Sequence, residues 1–270
     1  MSYSPASESV MLHLGLGSFH RAHQAAYLQA LIDAGDVRWS IVGTNIRPEM
    51  ADLLTALQAQ AGAYTLETVS PAGDYRYQRI EAIRRVLPHE ATLAAAIEVA
   101  AQPSTRIISF TVTEAGYCLD PAGRLDTKAQ DILSDVQKLR RGEAGATIYG
   151  AVAAMLRARM AAGAGAVTLL NCDNLRHNGD RFRAMLHTFL ALVADAPLMA
   201  WVASNTRCPN SMVDRITPRP PPELRDRVRQ ATGWDDAAPV GGESFIQWVI
   251  EDDFANGRPQ WGHVGVQMVA

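Results

Sequence analysis

The residues with the clearest chemical potential lie near the start of the chain, where Gly15-Leu16-Gly17-Ser18-Phe19-His20 follows a short apolar run at 10–14. A glycine turn between a strand and a helix is the arrangement that receives a dinucleotide pyrophosphate. Gly15 would permit the tight turn. Gly17 would let the pyrophosphate reach the backbone, its charge facing the amino terminus of the helix. The third glycine of the usual fingerprint is replaced by His20, and the acidic residue expected after the second strand is also missing. Gly43-Thr44-Asn45-Ile46-Arg47 stands there instead. Asn45 could hydrogen-bond a ribose hydroxyl. Arg47 could accept a 2′-phosphate, stack over adenine, or be an ordinary surface arginine. NAD is favoured as the ligand, with NADP left open.

The surrounding pattern supplies the elements that such a turn needs. Residues 10–14 and 39–42 read as short buried strands, with Tyr27, Leu28, Leu31 and Ile32 at helical spacing between them. Residues 64–69 and 75–86 are rich in β-branched and aromatic residues and flank Pro71-Ala72-Gly73-Asp74, which predicts a hairpin insertion. A helix over 90–100, a strand over 107–112, and a helix through Ile148, Val152, Met155, Leu156 and Met160 follow. Next come a strand over 167–170, a helix through Phe182, Met185, Leu186, Phe189, Leu190 and Val193, and a strand over 201–204. Residues 218–222 are proline-rich and predict a stiff connection. Residues 263–269 alternate as a half-buried strand with no partner in view. The whole predicts an α/β fold with a doubly wound, mainly parallel Rossmann-type sheet, followed by the start of a truncated second domain.

With 270 residues, 48% of them hydrophobic and 20% charged, the chain can bury a substantial core. The net charge of −3 gives no basic footprint for nucleic acid or a membrane surface. The first ten residues lack the basic-then-apolar order of a signal segment, and no apolar run approaches the ~20 residues that span a bilayer. A soluble cytoplasmic protein is expected, and nothing in the sequence fixes its oligomeric state. Cys118, Cys172 and Cys208 are far apart, without a C-x-x-C pair. They predict free buried thiols and argue against both a disulfide framework and a zinc-dependent alcohol dehydrogenase.

The longer segment Gly15-Leu16-Gly17-Ser18-Phe19-His20-Arg21-Ala22-His23-Gln24 resembles the opening of the mannitol dehydrogenase family, G-x-G-x-F-x-R-A-H. Four further blocks resemble that family in order. They are Thr111-Val112-Thr113-Glu114-Ala115-Gly116-Tyr117; Asn171-Cys172-Asp173-Asn174-Leu175 with Asn178-Gly179; Cys208 to Pro218; and Phe245 to Asp252. The resemblance implies metal-free hydride transfer between a nicotinamide cofactor and a polyol or sugar acid, a lysine acting as general acid/base and asparagines assisting the reacting oxygen. It assigns Asn174 as an oxyanion donor. It places Gly15, Gly17, Ser18, Phe19, His20, Arg21, Asn45 and Arg47 against the cofactor, with Thr113 and Glu114 beside it. Asp214 would sit near the nicotinamide or substrate, or pair with Arg215. Asn178 is expected to cap the helix that begins near Asp180.

The family's lysine lies in a K-x4-N-x2-H motif. This chain has only Lys128 and Lys138, and neither begins that pattern. Asn174-Leu175-Arg176-His177 supplies an N-x2-H, with Leu169 in the lysine position. The resemblance therefore implies a dinucleotide-binding domain over 1–215 and a crossover segment over 216–270 toward a missing helical carboxy-terminal catalytic domain. Two functions stay open. One is the cofactor-binding part of a polyol or hexuronate dehydrogenase, without turnover of its own; the other is a non-catalytic dinucleotide-binding or regulatory module.

Overall fold

The computed structural model describes residues 9–270; the expectation about the first ten residues falls mostly outside this range. The 10–14 run forms β1 (Ser9–Leu14), buried on both faces, with Met11 in one core and Leu12 and Leu14 in the other. Five further strands join it: β2 (Trp39–Thr44), β5 (Ile83–Val86), β6 (Thr105–Phe110), β7 (Val167–Asn171) and β8 (Thr206–Arg207). Their order is β5-β2-β1-β6-β7-β8, and every neighbouring pair is parallel. That is the doubly wound order of a dinucleotide-binding sheet, with its topological switch point between β1 and β6.

Helices cover both faces. α4 (Ala94–Ala100), α5 (Gln130–Arg140), α6 (Ile148–Ala161), α7 (Asn178–Val193) and α8 (Ala196–Asn205) bury Val99, Ile132, Val152, Phe182, Phe189 and Leu198 on one side. α2 (Gln24–Asp33) and α3 (Ala51–Ala59) bury Leu28, Leu31, Leu54 and Leu57 on the other. At the amino ends of β6 and β7, the buried Arg159 donates to the carbonyls of Ala100, Gln102, Ala164, Gly165 and Ala166. One guanidinium thus satisfies backbone acceptors from both turns.

The structure departs from the sequence pattern in three places. The 75–86 run divides: β4 (Tyr75–Ile80) pairs antiparallel with β3 (Tyr64–Val69), whereas Ile83 onward enters the main sheet. In the break, Glu81 N–H donates to Gln29 Oε1 at 2.6 Å, so the chain changes sheets without losing its backbone partner. Residues 201–204 lie in α8 and do not form a strand. Asp195 Oδ1 accepts from Leu198 N–H at 3.1 Å and Pro197 sits in the first turn, so a helix starts there and carries through the apolar run. The 263–269 stretch begins as a 3₁₀ turn (Trp261–Val264), turns at Gly265, and only then extends as β12 (Gln267–Val269). β12 does have a partner, running parallel to β11 (Gln247–Glu251), which pairs antiparallel with β9 (Ser211–Asp214).

β10 (Val240–Glu243) runs parallel to β3. Strands from both sides of residue 215 therefore share each of the two small sheets, and residues 216–270 pack onto what precedes them. The proline-rich 218–222 stretch joins β9 to α9 (Leu224–Thr232) with neither helix nor strand.

Beneath the glycine turn lies a run of buried imidazoles on β1 and on α1 (Ser18–Ala22) with its C-cap. His13 donates from Nε2 to Gly15 O (3.1 Å) and accepts at Nδ1 from Ser109 Oγ (2.9 Å). His20 stacks on His13 with ring centroids 3.3 Å apart and donates from Nδ1 to Gln24 Oε1 (3.2 Å). Gln24 Nε2 donates to His23 Nδ1 (2.9 Å), and His23 Nε2 donates to Gln247 O (2.8 Å). This pattern is satisfied with all three rings neutral. Burial depresses His13 to about 3 and His23 to about 4, and lowers His20 as well. Each folded value lies below the unfolded one, so the stability these groups provide is complete above the unfolded value and is lost as pH falls toward the folded one. Between about pH 7.5 and about pH 5, His23 should contribute a loss of about 2 kcal/mol. Urea unfolding at the two pH values should show a loss in His23→Gln smaller than the wild type's by about that amount, the remainder coming from His13 and His20; identical pH responses would refute neutral burial of this ring.

Candidate dinucleotide site

The carboxyl ends of β1, β2, β6 and β7 open onto a cleft of about 500 Å³ at the switch point. Its floor is the glycine turn. Gly15 has φ +114°, and a Cβ there would lie 2.5 Å from Thr111 O, so both conformation and space demand glycine. Gly17 differs. A Cβ at Gly17 would meet nothing nearer than Gly15 O at 3.9 Å, so its bareness leaves room in the cleft and serves no internal contact. Among the described residues no side chain caps α1, so its first-turn N–H groups have no side-chain acceptor.

Gly15, Gly17, Ser18, Phe19, Asn45, Arg47, Thr113 and Asn174, all expected at the site from the sequence, line this one cleft. Asn45 Oδ1 accepts from Leu16 N–H at 2.7 Å and so closes the turn, while its buried Nδ2 has no partner among the described residues. A buried amide donor left unmade is costly unless a ligand meets it. Phe19 lines the cleft and stacks on His23 at 5.0 Å.

Four expected residues lie elsewhere. His20 is fully buried against His13, where two stacked rings provide the close helix–strand packing that a third glycine would allow. Arg21 is buried too; its NH1 donates to Ala238 O at 2.5 Å, and its guanidinium lies 5.2 Å from the Tyr64 ring centroid. The Phe19-His20-Arg21-Ala22-His23 segment therefore ties the first helix to residues 238–247. Glu114 is exposed at the head of the 3₁₀ turn Glu114–Tyr117, outside the cleft lining. Asp214 is exposed on β9, and Arg215 directs its guanidinium to the carbonyls of Ala22 and Glu243, not to Asp214.

Of two lining carboxylates, Glu49 was not anticipated from the sequence, and Asp173 was expected only as part of a Cys172-Asp173-Asn174 stretch lining the site. Glu49 sits beside Arg47 and Met50, two residues past the position at which an acidic residue was sought. Its signal was Pro48 opening a 3₁₀ turn, which carries the chain back over the cleft. Asp173 lies between Cys172 and Asn174 in the wall after β7. Its Oδ1 accepts from Val112 N–H at 2.8 Å, and its Oδ2 accepts a short hydrogen bond from the Tyr117 hydroxyl. Burial pushes the carboxyl up to about 7 against the opposing pull of these two donors.

Asn178 is the first residue of α7, not a cap ahead of it. Its Nδ2 donates to Asn171 O, Asp173 O and Ser211 Oγ, and its Oδ1 accepts from Gly179 N–H and Ser211 N–H. It brackets the end of β7 to β9. Cys172 and Cys208 are buried free thiols and Cys118 is a half-buried one. A larger groove of about 630 Å³ runs between α2, the hairpin and Ile246. It lies away from the carboxyl ends of the parallel strands, so position favours the smaller cleft. Among the described residues, no helix is long and apolar enough to cross a membrane.

The comparisons with known proteins agree with this geometry. The family described as "Mannitol dehydrogenase Rossmann domain" matches residues 9–263. D-arabinitol 4-dehydrogenase of Ralstonia nicotianae is 54% identical over 99% of this chain and 57% of its own length. Mannitol 2-dehydrogenase of Cereibacter sphaeroides is 44% identical over 95% of the chain and 53% of its own. Among solved structures, the Pseudomonas fluorescens mannitol 2-dehydrogenase ternary complex with NAD and D-mannitol superposes with a TM-score of 0.91 at 39% identity, covering 99% of this chain and 54% of that one. The chain thus spans about half the length of these relatives. It belongs to the mannitol dehydrogenase family, as that family's Rossmann domain.

Proposed function

We propose that this chain is the NAD-binding half of a polyol dehydrogenase that interconverts a small open-chain polyol and its ketose, with a cytoplasmic location and with the proton-transfer lysine supplied by a further part of the protein. The observation that carries the reading is the cleft itself: an unfilled space over Gly17, an unpartnered buried Asn45 Nδ2 and the Asn174 carboxamide converge on one strand-end crevice. These features fit a dinucleotide, with the first-turn N–H groups at its pyrophosphate and Asn45 at a ribose hydroxyl. A bound nicotinamide would supply the hydride-transfer chemistry at the secondary carbinol carbon. Asn174 donates to the oxygen on that carbon, stabilising developing charge without titrating. Lys128 is exposed, Lys138 lies on α5, and neither lines the cleft. Support for a polyol over a hexuronate comes from the two arabinitol dehydrogenases, 54% and 52% identical.

A fluorescence titration should give saturable NADH binding to this chain, displaced by ADP-ribose, with no polyol-dependent change in NADH absorbance. Absence of binding, or robust turnover by the chain alone, would overturn the proposal. Where the chain is joined to the lysine-bearing part, Asn174→Ala should lower kcat/KM about 10²–10³-fold while leaving the NADH Kd unchanged. A loss confined to NADH affinity would count against the oxyanion role.

Glu49 and Arg47 oppose each other at the ribose end. Glu49 disfavours a 2′-phosphate by like charge and Arg47 favours one. Glu49→Gln should shift the NADPH:NADH affinity ratio toward NADPH about tenfold, and Arg47→Ala should shift it the other way. Competitive titrations with the two cofactors read both shifts, and an unchanged ratio in Glu49→Gln would remove that residue from cofactor selection.

A further inference from the structure

We infer that Asp173 is a positioning residue for the nicotinamide half of the cofactor, locking the ends of β6 and β7 into a single rigid wall of the cleft. The inference rests on the dinucleotide reading above and deepens it. The cleft has two ends. Asn45, Arg47 and Glu49 follow β2, where a doubly wound fold holds the adenosine ribose, so the wall beyond β6 and β7 is left for the nicotinamide.

In that wall the polar groups close a ring. Asp173 N–H donates to Asn171 Oδ1 (2.9 Å), Asn171 Nδ2 donates to the Tyr117 oxygen (2.8 Å), and the Tyr117 hydroxyl donates to Asp173 Oδ2. Asp173 Oδ1 then takes Val112 N–H, and Tyr149 Oη donates to the Tyr117 carbonyl at 3.1 Å. Gly116 fits under Val112 only because it lacks a Cβ. The 112–117 segment therefore cannot move against 171–174 without breaking a hydrogen bond to a buried group.

A carboxylate is the only side chain of this size that accepts at both ends while ionised. Protonated, one of its oxygens becomes a donor facing a phenol whose own proton then has no acceptor. The groups around it do not compensate. Tyr117 and Cys172 are held neutral by burial, His13 stays neutral beneath the glycine turn, and Glu114 is exposed on the adjoining turn. Burial raises the Asp173 carboxyl to about 7, so the lock weakens within an accessible pH range.

The test uses NADH and ADP-ribose as probes of this chain. The wild type should bind both, with NADH affinity falling as pH drops from about 8 to about 6 and ADP-ribose affinity nearly level. Asp173→Asn should weaken NADH about tenfold, change ADP-ribose by less than about twofold, and flatten the NADH pH response. Tyr117→Phe should reproduce the NADH loss, and the double variant should add little to either. Equal losses for both probes, a pH-independent wild type, or additive single losses would each overturn the inference. If the wild type binds neither probe, the dinucleotide reading falls and this inference with it. If it binds both and Asp173→Asn matches it, only this inference falls. Should Asp173→Asn fail to fold, Tyr117→Phe decides by the same two probes.

Discussion

The peptide groups flanking Gly15 set the rest of the site. Gly15 N–H donates to Thr44 O at the end of β2 (2.8 Å), and its carbonyl accepts from Thr111 Oγ1 past the end of β6 (2.9 Å) and from His13 beneath (3.1 Å). One residue thereby fastens three strand ends at the point where the strand order reverses. In a parallel sheet buried on both faces, polar chemistry is confined to strand ends, because only there can backbone groups turn outward. Fixing Gly15 fixes where β1 releases the chain, and with it the direction of α1 and the width of the cleft.

The helix that leaves this turn is short, so the long-range dipole of an extended helix is not what orients the first turn. Side-chain anchoring does that work. His20 packs on His13, Arg21 reaches Ala238, His23 reaches Gln247, and Arg215 returns to the Ala22 carbonyl. Four of the six residues of α1 and its C-cap, His20 to His23, are held by a group from β1 or from residues 215–247. The segment most characteristic of the family thus does two jobs. Gly15, Gly17, Ser18 and Phe19 face the cleft, and the three residues with the most reactive-looking side chains hold the scaffold.

This division explains what could be read in the sequence. Buried parallel strands are short continuous apolar runs, so β1, β2, β6 and β7 were legible, and with them the strand-end positions Asn45, Thr113 and Asn174. Residues 201–204 resemble such a run in isolation; the Asp195 cap and Pro197 that commit them to α8 precede the run. The 75–86 run hid a change of sheet because both sheets ask for the same residue types. Residue type also misled at His20, Arg21 and Asp214. A histidine, arginine or aspartate beside a motif suggests chemistry, yet its direction depends on packing that type does not show: His20 stacks on His13, Arg21 is drawn to Ala238, 217 residues away, and Asp214 stays exposed on β9. Glu49 escaped for the opposite reason: the turn after Pro48 that brings it to the cleft is not visible as spacing, and Asp173, expected in the lining stretch, showed nothing of its ring of hydrogen bonds.

The end of β7 shows how such a site can be both rigid and reactive. Its residues alternate in fate. Asn171 is buried and bonded, Cys172 packs into the core, Asp173 is held from two sides, and Asn174 is exposed in the cleft. The oxyanion role proposed for Asn174 needs a donor placed to within a fraction of an ångström, but an exposed asparagine after a strand would ordinarily wander. Here Asp173 is pinned to the neighbouring strand end, and its carbonyl accepts from Asn178 Nδ2 at 3.0 Å. The peptide that carries Asn174 therefore begins from a fixed point, and Leu175 N–H donating to Asp173 O at 2.8 Å restrains the backbone turn around it. Asn178 passes the same constraint to β9 through Ser211, so the wall of the cleft and the sheet that carries residues 247–251 are fastened together. Buried polar groups that burden folding are what give an exposed amide a defined position.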